Sequence, residues 1–277
     1  MKYEENGDWS LEVEISSTKK FTYNYIILNE NKTFSGEYFT DRAFSAVAGK
    51  ENYILHDTWR SNGEDKTFYS SAFTEGLILR TSKGKKQAAV KAEKVLQFSI
   101  SAPRVQDGLS IAVIGNCDAL GNWDTTKALV LSDAEFPLWK GAVAMRGNEG
   151  IIEYKYVLYD AKTKTSVSWE YGDNRTLNLF DIEESTVYKR NDEVFRYSIP
   201  PFKCAGISIP VFSIRTHNSF GVGEFSDLKL MSDWAKLTGQ RVIQTLPITD
   251  TTRFRTNADS YPYSSITVMA LHPIYIN

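Results

Sequence analysis

The chain has 277 residues, 42% hydrophobic and 24% charged, which suits one to three soluble domains with buried cores. A formal net charge of -2 gives no electrostatic reason for a nucleic-acid or anionic-membrane partner. No apolar run reaches the roughly 18 residues of a membrane helix, and two cysteines, Cys117 and Cys204, are too few for a disulfide framework. The polar start Met1 to Asp8 has no signal-peptide core, so the chain reads as cytoplasmic. Its 15 Tyr, 15 Phe and 6 Trp, set among turn residues, point to a mainly β protein.

From the N-terminus the chain partly repeats itself. Trp9-Ser10-Leu11-Glu12-Val13-Glu14-Ile15 parallels Trp139-Lys140-Gly141-Ala142-Val143-Ala144-Met145, each alternating as a half-buried strand does. Phe21-Thr22-Tyr23-Asn24-Tyr25 answers Ile152-Glu153-Tyr154-Lys155-Tyr156, and Ser35-Gly36-Glu37-Tyr38 answers Ser168-Trp169-Glu170-Tyr171. Glu37 to Arg42 has the spacing of Glu170 to Arg175. The second copy begins near Lys94, whereas the first has only Met1 to Asp8 ahead of Trp9, so residues 1–48 read as an incomplete copy. Residues 49–93, with the solvated cluster Lys83-Gly84-Lys85-Lys86, read as a linker, and residues 94–200 as a complete module.

Three residues of that module carry its chemistry. A flat indole covers a pyranose ring and excludes water, and a lysine beside it donates to sugar hydroxyls. Trp123, in Leu120-Gly121-Asn122-Trp123-Asp124, Lys155, and Trp169, beside Gly172-Asp173-Asn174, supply that set, with both indoles expected on loops. The first copy has Asn24 and Gly36 at the places of Lys155 and Trp169, so sugar binding is expected of one module only.

Beyond Cys204 the pattern changes. Gly206 to Ile214 reads as a buried strand, Ser226 as the cap of a helix from Asp227 to Thr238 stopped by Gly239, and Arg241 to Leu246 as a second strand: the start of a βαβ unit. Gly221-Val222-Gly223 lacks the rest of a phosphate-loop motif. His56, His217 and His272 have no metal-ligand spacing, so neither metal nor cofactor is expected. Glu224, Asp227, Asp250 and Asp259 qualify for acid/base work only if folding pairs them. Pro262 makes a turn that presents Tyr263, as a surface feature or as part of a site at a barrel's active face.

Residues 94–196 resemble a family-20 carbohydrate-binding module, the starch-binding domain, through Leu120-Gly121-Asn122-Trp123-Asp124, Pro137-Leu138-Trp139, Glu153-Tyr154-Lys155-Tyr156, Trp169-Glu170 and Asn174-Arg175. The resemblance implies an immunoglobulin-like β-sandwich that binds α-1,4-glucans (starch, glycogen, maltooligosaccharides) through Trp123, Lys155, Trp169 and Asn174, with Trp139 in a second site. Residues 204–277 resemble the opening of family-77 glycoside hydrolases, the 4-α-glucanotransferases or amylomaltases, in Ser208-Ile209-Pro210-Val211-Phe212, Phe220-Gly221-Val222-Gly223-Glu224, Leu246-Pro247-Ile248-Thr249-Asp250 and Ser260-Tyr261-Pro262-Tyr263. Tandem starch-binding modules before such a domain are similar to type-2 disproportionating enzymes. That implies retaining transfer of α-1,4-glucan segments, a donor-sugar contact at Tyr263, and no catalytic carboxylate in this chain. Residues 201–277 would then be the N-terminal part of a (β/α)8 barrel, which needs roughly 250 residues, and the chain a fragment cut at both ends. The alternatives are a stand-alone, non-catalytic starch- or glycogen-binding protein and a β-sandwich for protein contacts.

Overall fold

A computed structural model describes the whole chain except residues 16–19, 32–33, 38–40, 62–67, 79, 81–83, 148–149, 199–203 and 277. Tyr38 of the repeat and Lys83 of the lysine cluster lie outside the described residues. The chain forms two compact units, residues 1–201 and 202–277.

The first unit begins with the short strands β1 (Lys2–Tyr3), β2 (Trp9–Ser10), β3 (Lys20–Tyr23), β4 (Ile26–Leu28), β5 (Phe34–Gly36), β6 (Arg42–Ser45) and β7 (Asn52–Asp57). The complete module follows as β8 (Lys94–Ser101), β9 (Ser110–Gly115), β10 (Leu129–Val130), β11 (Ser132–Glu135), β12 (Leu138–Met145), β13 (Gly150–Asp160), β14 (Thr165–Trp169), β15 (Arg175–Leu179) and β16 (Thr186–Val194). One of its sheets runs β11-β12-β8-β16-β7; the other runs β10-β9-β13-β14, with β15 on the free half of β13. Alternation builds the sandwich: Leu96, Phe98 and Ile100 of one sheet and Ile111, Val113, Ile152, Tyr154 and Tyr156 of the other share one buried core.

Within that core lies a cluster of charges. Arg175 grips Glu170 from Nε (3.0 Å) and Nη2 (2.8 Å) and reaches Asp192 from Nη1 (3.0 Å). Tyr154 and Tyr156 each donate a hydroxyl to Asp192 Oδ2 at 2.8 Å, and Arg190 (2.9 Å) and Arg196 (3.1 Å) complete the pairing of Asp192 and Glu170. The first copy repeats it. Arg42 pairs with Glu37 at 2.5 Å and with Asp57 at 3.2 Å, Tyr23 and Tyr25 donate to Asp57 Oδ2 at 2.7 and 2.8 Å, and Arg60 reaches Glu37. The strand register agrees too: Tyr23 lies opposite Arg42 as Tyr154 lies opposite Arg175.

Two expectations are corrected. Residues 49–93 are more than a linker, because β7 pairs in parallel with β16 and Asp57, its last residue, accepts from Asn191 at 2.5 Å. The first copy's final strand thereby becomes an edge strand of the second copy's sheet. The strand expected from Trp9 to Ile15 ends at Ser10, and residues 11–15 pair with no strand.

The second unit contains β17 (Gly206–Ser208), α1 (Asp227–Leu237) and β18 (Val242–Gln244), with β17 and β18 parallel as the βαβ reading requires. The strand expected to reach Ile214 stops at Ser208, and Val211–Ser213 forms a tight helical turn instead. Ser226 has helical backbone angles and makes no side-chain cap bond. The buried Asp227 holds that corner, accepting from Thr216 Oγ1, Ser219 Oγ and the Glu224 amide at 2.7, 2.7 and 2.9 Å. Gly239, at φ +74°, ends the helix as read, and Leu237 in its last turn is exposed.

Replacing Arg175 with Met leaves Glu170 and Asp192 buried without their main partner, so unfolding free energy in urea should fall by about 3–5 kcal/mol. Burial alone would raise the Asp192 carboxyl, but Arg175, Arg190 and the two tyrosine hydroxyls outweigh it and hold it below its ordinary value. The folded state thus binds this proton less tightly than the unfolded chain. The resulting stability is present above about pH 4 and is lost as pH falls through the folded value. Urea midpoints measured from pH 7 downward should stay level until about pH 4 and then drop, and Asp192→Asn should blunt the drop.

Candidate glucan-binding site

Strand alternation divides the side chains of β13. Tyr154 and Tyr156 point into the core, while Glu153, Lys155 and Val157 lie on the outer face. On that face Ala112 and Ile114 of β9, with Val157 and Tyr159 of β13, form a small apolar cluster against which Trp123 and Ala128 pack.

The turn that delivers Trp123 is unusual. Gly121, Asn122 and Trp123 all have positive φ, +79°, +49° and +64°, a region that disfavours bulky side chains. The Asn122 amide donates to Cys117 O (3.0 Å) and the Asp124 amide to Gly121 O (2.9 Å), while the Asp124 carboxylate accepts from the Thr126 amide and hydroxyl. A Cβ on Gly121 would come within 2.9 Å of the Lys127 Cβ and 3.0 Å of its carbonyl oxygen, so the turn needs glycine there. Backbone strain held by such bonds is characteristic of functional positions.

Trp169 closes β14, at a strand end rather than on the expected loop. Its ring is 38% exposed and lies 6.3 Å from that of Trp123, with 37° between their planes. Lys155 donates from Nζ to Gly172 O (2.6 Å), which leaves two ammonium protons for a ligand. Asn174 donates to Glu153 Oε2 (2.8 Å). Trp123, Lys155, Trp169 and Asn174 are therefore gathered on one face. Arg196 fastens the 170–174 loop to the buried charges, with Nε on Glu170 (3.1 Å) and Nη2 on Asp173 O (2.6 Å). Sequence reasoning missed two neighbours. Glu153 orients Asn174, and its position two residues before Lys155 on one strand was the available signal. Tyr171 is 73% exposed, two residues beyond Trp169.

Trp139 requires a correction. Its side chain is fully buried, its indole N–H donates to Ala102 O at 3.1 Å, Phe136 meets it edge-on, and the Arg80 guanidinium stands 4.6 Å from its centroid. Arg80 is held there by Gln106 O, Leu109 O and Asp133, so no face of this indole is free for a sugar.

In the second unit the turn at Pro262 is present, with the Ser264 amide donating to Tyr261 O at 3.1 Å. Tyr263 is exposed and its ring lies 5.5 Å from that of Tyr261. Each of the four carboxylates accepts local hydrogen bonds. Glu224 accepts from the Phe220 amide and Asp250 from the Thr252 amide, Asp259 accepts from the amides of Phe254 and Arg255, and Asp227 holds its corner. Gly223 is explained by packing, since a Cβ would lie 1.9 Å from Val211 O. No group of three or more His, Cys, Asp or Glu able to hold a metal occurs among the described residues, and no helix among them is long and apolar enough to cross a membrane.

Comparison with known proteins follows this division. Residues 94–188 match the starch binding domain family and residues 209–277 the 4-alpha-glucanotransferase family. The 4-alpha-glucanotransferase DPE2 of Oryza sativa subsp. japonica is 33% identical across 97% of this chain, which spans 29% of that relative's length. The 4-alpha-glucanotransferase of Chlamydia muridarum is 46% identical over 72 residues, 26% of this chain and 13% of that protein. The solved family-20 module of a maltotetraose-forming amylase from Pseudomonas saccharophila is 25% identical, with a TM-score of 0.29, covering 34% of this chain and 98% of that one.

The different settings of the tryptophans separate structural from ligand-facing roles. Trp139→Ala should cost about 3–5 kcal/mol of unfolding free energy. Trp123→Ala, removing a half-buried ring, should cost clearly less in the same urea titration.

Proposed function

We propose that the chain holds α-1,4-glucan for an enzyme that transfers glucan segments between chains, because residues 94–188 match the starch binding domain family and residues 209–277 the 4-alpha-glucanotransferase family. The observation that carries the reading is the open, tilted indole pair Trp123 and Trp169 beside Lys155 and Asn174. Two inclined planes follow the curvature of adjacent α-linked sugars, apolar sugar faces stack on them, and the ammonium and amide donate to hydroxyls. An indole covering roughly 100 Å² contributes about 2.5 kcal/mol before ordering costs, so one such site binds on the order of mM to μM.

In the transfer reaction one carboxylate attacks the anomeric carbon while a second acid protonates the leaving oxygen. A sugar hydroxyl then displaces the first, retaining configuration. We assign neither role to Glu224, Asp227, Asp250 or Asp259, whose oxygens are committed to local amides and hydroxyls. Tyr263, exposed at the Pro262 turn, is proposed to contact the donor glucan. A cytoplasmic setting is supported by the two cysteines, the buried Cys117 and the exposed Cys204, neither of which is in a disulfide.

Titration with maltoheptaose should quench tryptophan fluorescence saturably, and Trp123→Ala combined with Trp169→Ala should weaken binding by at least about tenfold, the equivalent of 1.4 kcal/mol. An unchanged titration in the double variant would sink the assignment. The 277-residue chain should bind maltotriose without converting it to longer and shorter oligomers.

A further inference from the structure

The outer face of the β11-β12-β8-β16-β7 sheet lies opposite the indole pair, and the first copy roofs part of it. Phe44 and Val47 form one wall of the trough left between them, residues 86–90 form the other, and Gln97, Ser99, Lys140 and Lys189 line its floor. The 86–90 segment is fixed by Gln87, whose side-chain amide bonds both the carbonyl (3.1 Å) and the amide (2.7 Å) of Ala142. The trough encloses about 300 Å³, the lower end of the range for small-ligand pockets.

Its charges do not balance. Lys86, Lys140 and Lys189 line it against a single carboxylate, Glu135. Glu135 is already shared, at 2.6 Å from Lys140 and 3.5 Å from Lys86. Asp57, the carboxylate behind Lys189, is answered by Arg42. Lys189 itself lies 4.4 Å from the Phe44 centroid and donates to Ser45 O at 3.2 Å, with no described carboxylate as its partner. Burial and the nearby Lys140 lower its proton affinity, as an uncompensated ammonium requires.

We propose that this trough binds a small phosphomonoester, with the phosphoryl group between Lys189 and Lys140 and the carbon skeleton against Phe44 and Ala88. A phosphomonoester carries close to two negative charges at neutral pH and accepts strong hydrogen bonds from ammonium groups. The ester is free in solution or borne on a glucan chain. The proposal is independent of the indole site, on the opposite sheet.

The test is ³¹P NMR titration of the full chain with inorganic phosphate, a hexose monophosphate and a phosphorylated maltooligosaccharide. Saturable broadening is expected, with Lys189→Met weakening the hexose monophosphate by about tenfold and Lys189→Arg restoring most of it. Binding of the hexose ester at least as tight as that of the phosphorylated oligosaccharide in Trp123→Ala plus Trp169→Ala assigns the trough to a free ester. Tighter binding of the phosphorylated oligosaccharide than of the hexose ester, kept in that double variant and weakened by Lys189→Met, assigns it to a chain-borne phosphate. No saturation, or equal weakening by Lys162→Met on a remote hairpin, would overturn the proposal. Should Lys189→Met fail to fold, Gln97→Leu, which narrows the trough without touching its charge, must weaken binding in its place, and an unchanged affinity there also overturns it.

Discussion

The buried pairing of Glu170, Arg175 and Asp192 is the constraint on which the module depends. Two carboxylates whose side chains are fully sequestered from water are tolerable only if every oxygen is answered. The answering groups come from β13, β15, β16 and the segment after it, so the cluster ties together strands from both sheets. It also reaches the surface. Glu170 Oε1 accepts from the Tyr156 amide, and the Glu170 amide donates to Tyr156 O. These bonds fix the start of the loop that carries Trp169 on one side and Asn174 on the other. A site for a weakly held ligand cannot spare much energy for ordering its own loop, and the charge cluster orders it in advance.

The repeat separates scaffold from function. The first copy keeps the Glu–Arg spacing, the register of tyrosine against arginine and an answering Asp, yet Asn24 replaces Lys155 and bonds to Asp41, while Gly36 replaces Trp169. The shared residues are those that close buried bonds, and the residues that differ are those that would meet a sugar. Asn191 joins the copies: its side chain donates to Asp57 and its carbonyl accepts from Thr58, one position from Asp192 of its own cluster. The aspartates of the two charge clusters therefore sit on neighbouring strands, β7 and β16, of one β-sheet.

Much of this was legible in the sequence because it depends on local period and spacing. The alternation from Trp139 to Met145 marked a half-buried strand, found as β12, and the equal spacing of Glu37 to Arg42 and Glu170 to Arg175 marked what proved to be ion pairs. Asp57 and Asp192 were not legible, since they sit at different distances from those pairs and reach them only through folding. The parity of β12 already pointed Trp139 inward with Met145, a signal that outranks the resemblance placing it in a sugar site. The role of 49–93 was hidden for another reason. A parallel pairing between β7 and β16 spans more than a hundred residues and leaves no turn signature in the sequence.

Three successive left-handed residues at Gly121, Asn122 and Trp123 show how the site meets its own demands. A tryptophan in ordinary strand geometry on β9 would lie flat over Ala112 and Ile114 and be consumed by packing. Turning the backbone into the left-handed region lifts the ring so that one part rests on that cluster while the rest faces Trp169 at 37°. The strain is carried by backbone bonds to Cys117 and Gly121 and by the Asp124 cap, none of which touches the indole. A ligand that stacks on Trp123 therefore meets a ring whose orientation is already set. Preorganisation of this kind compensates for a contact area too small to hold a flexible sugar chain otherwise.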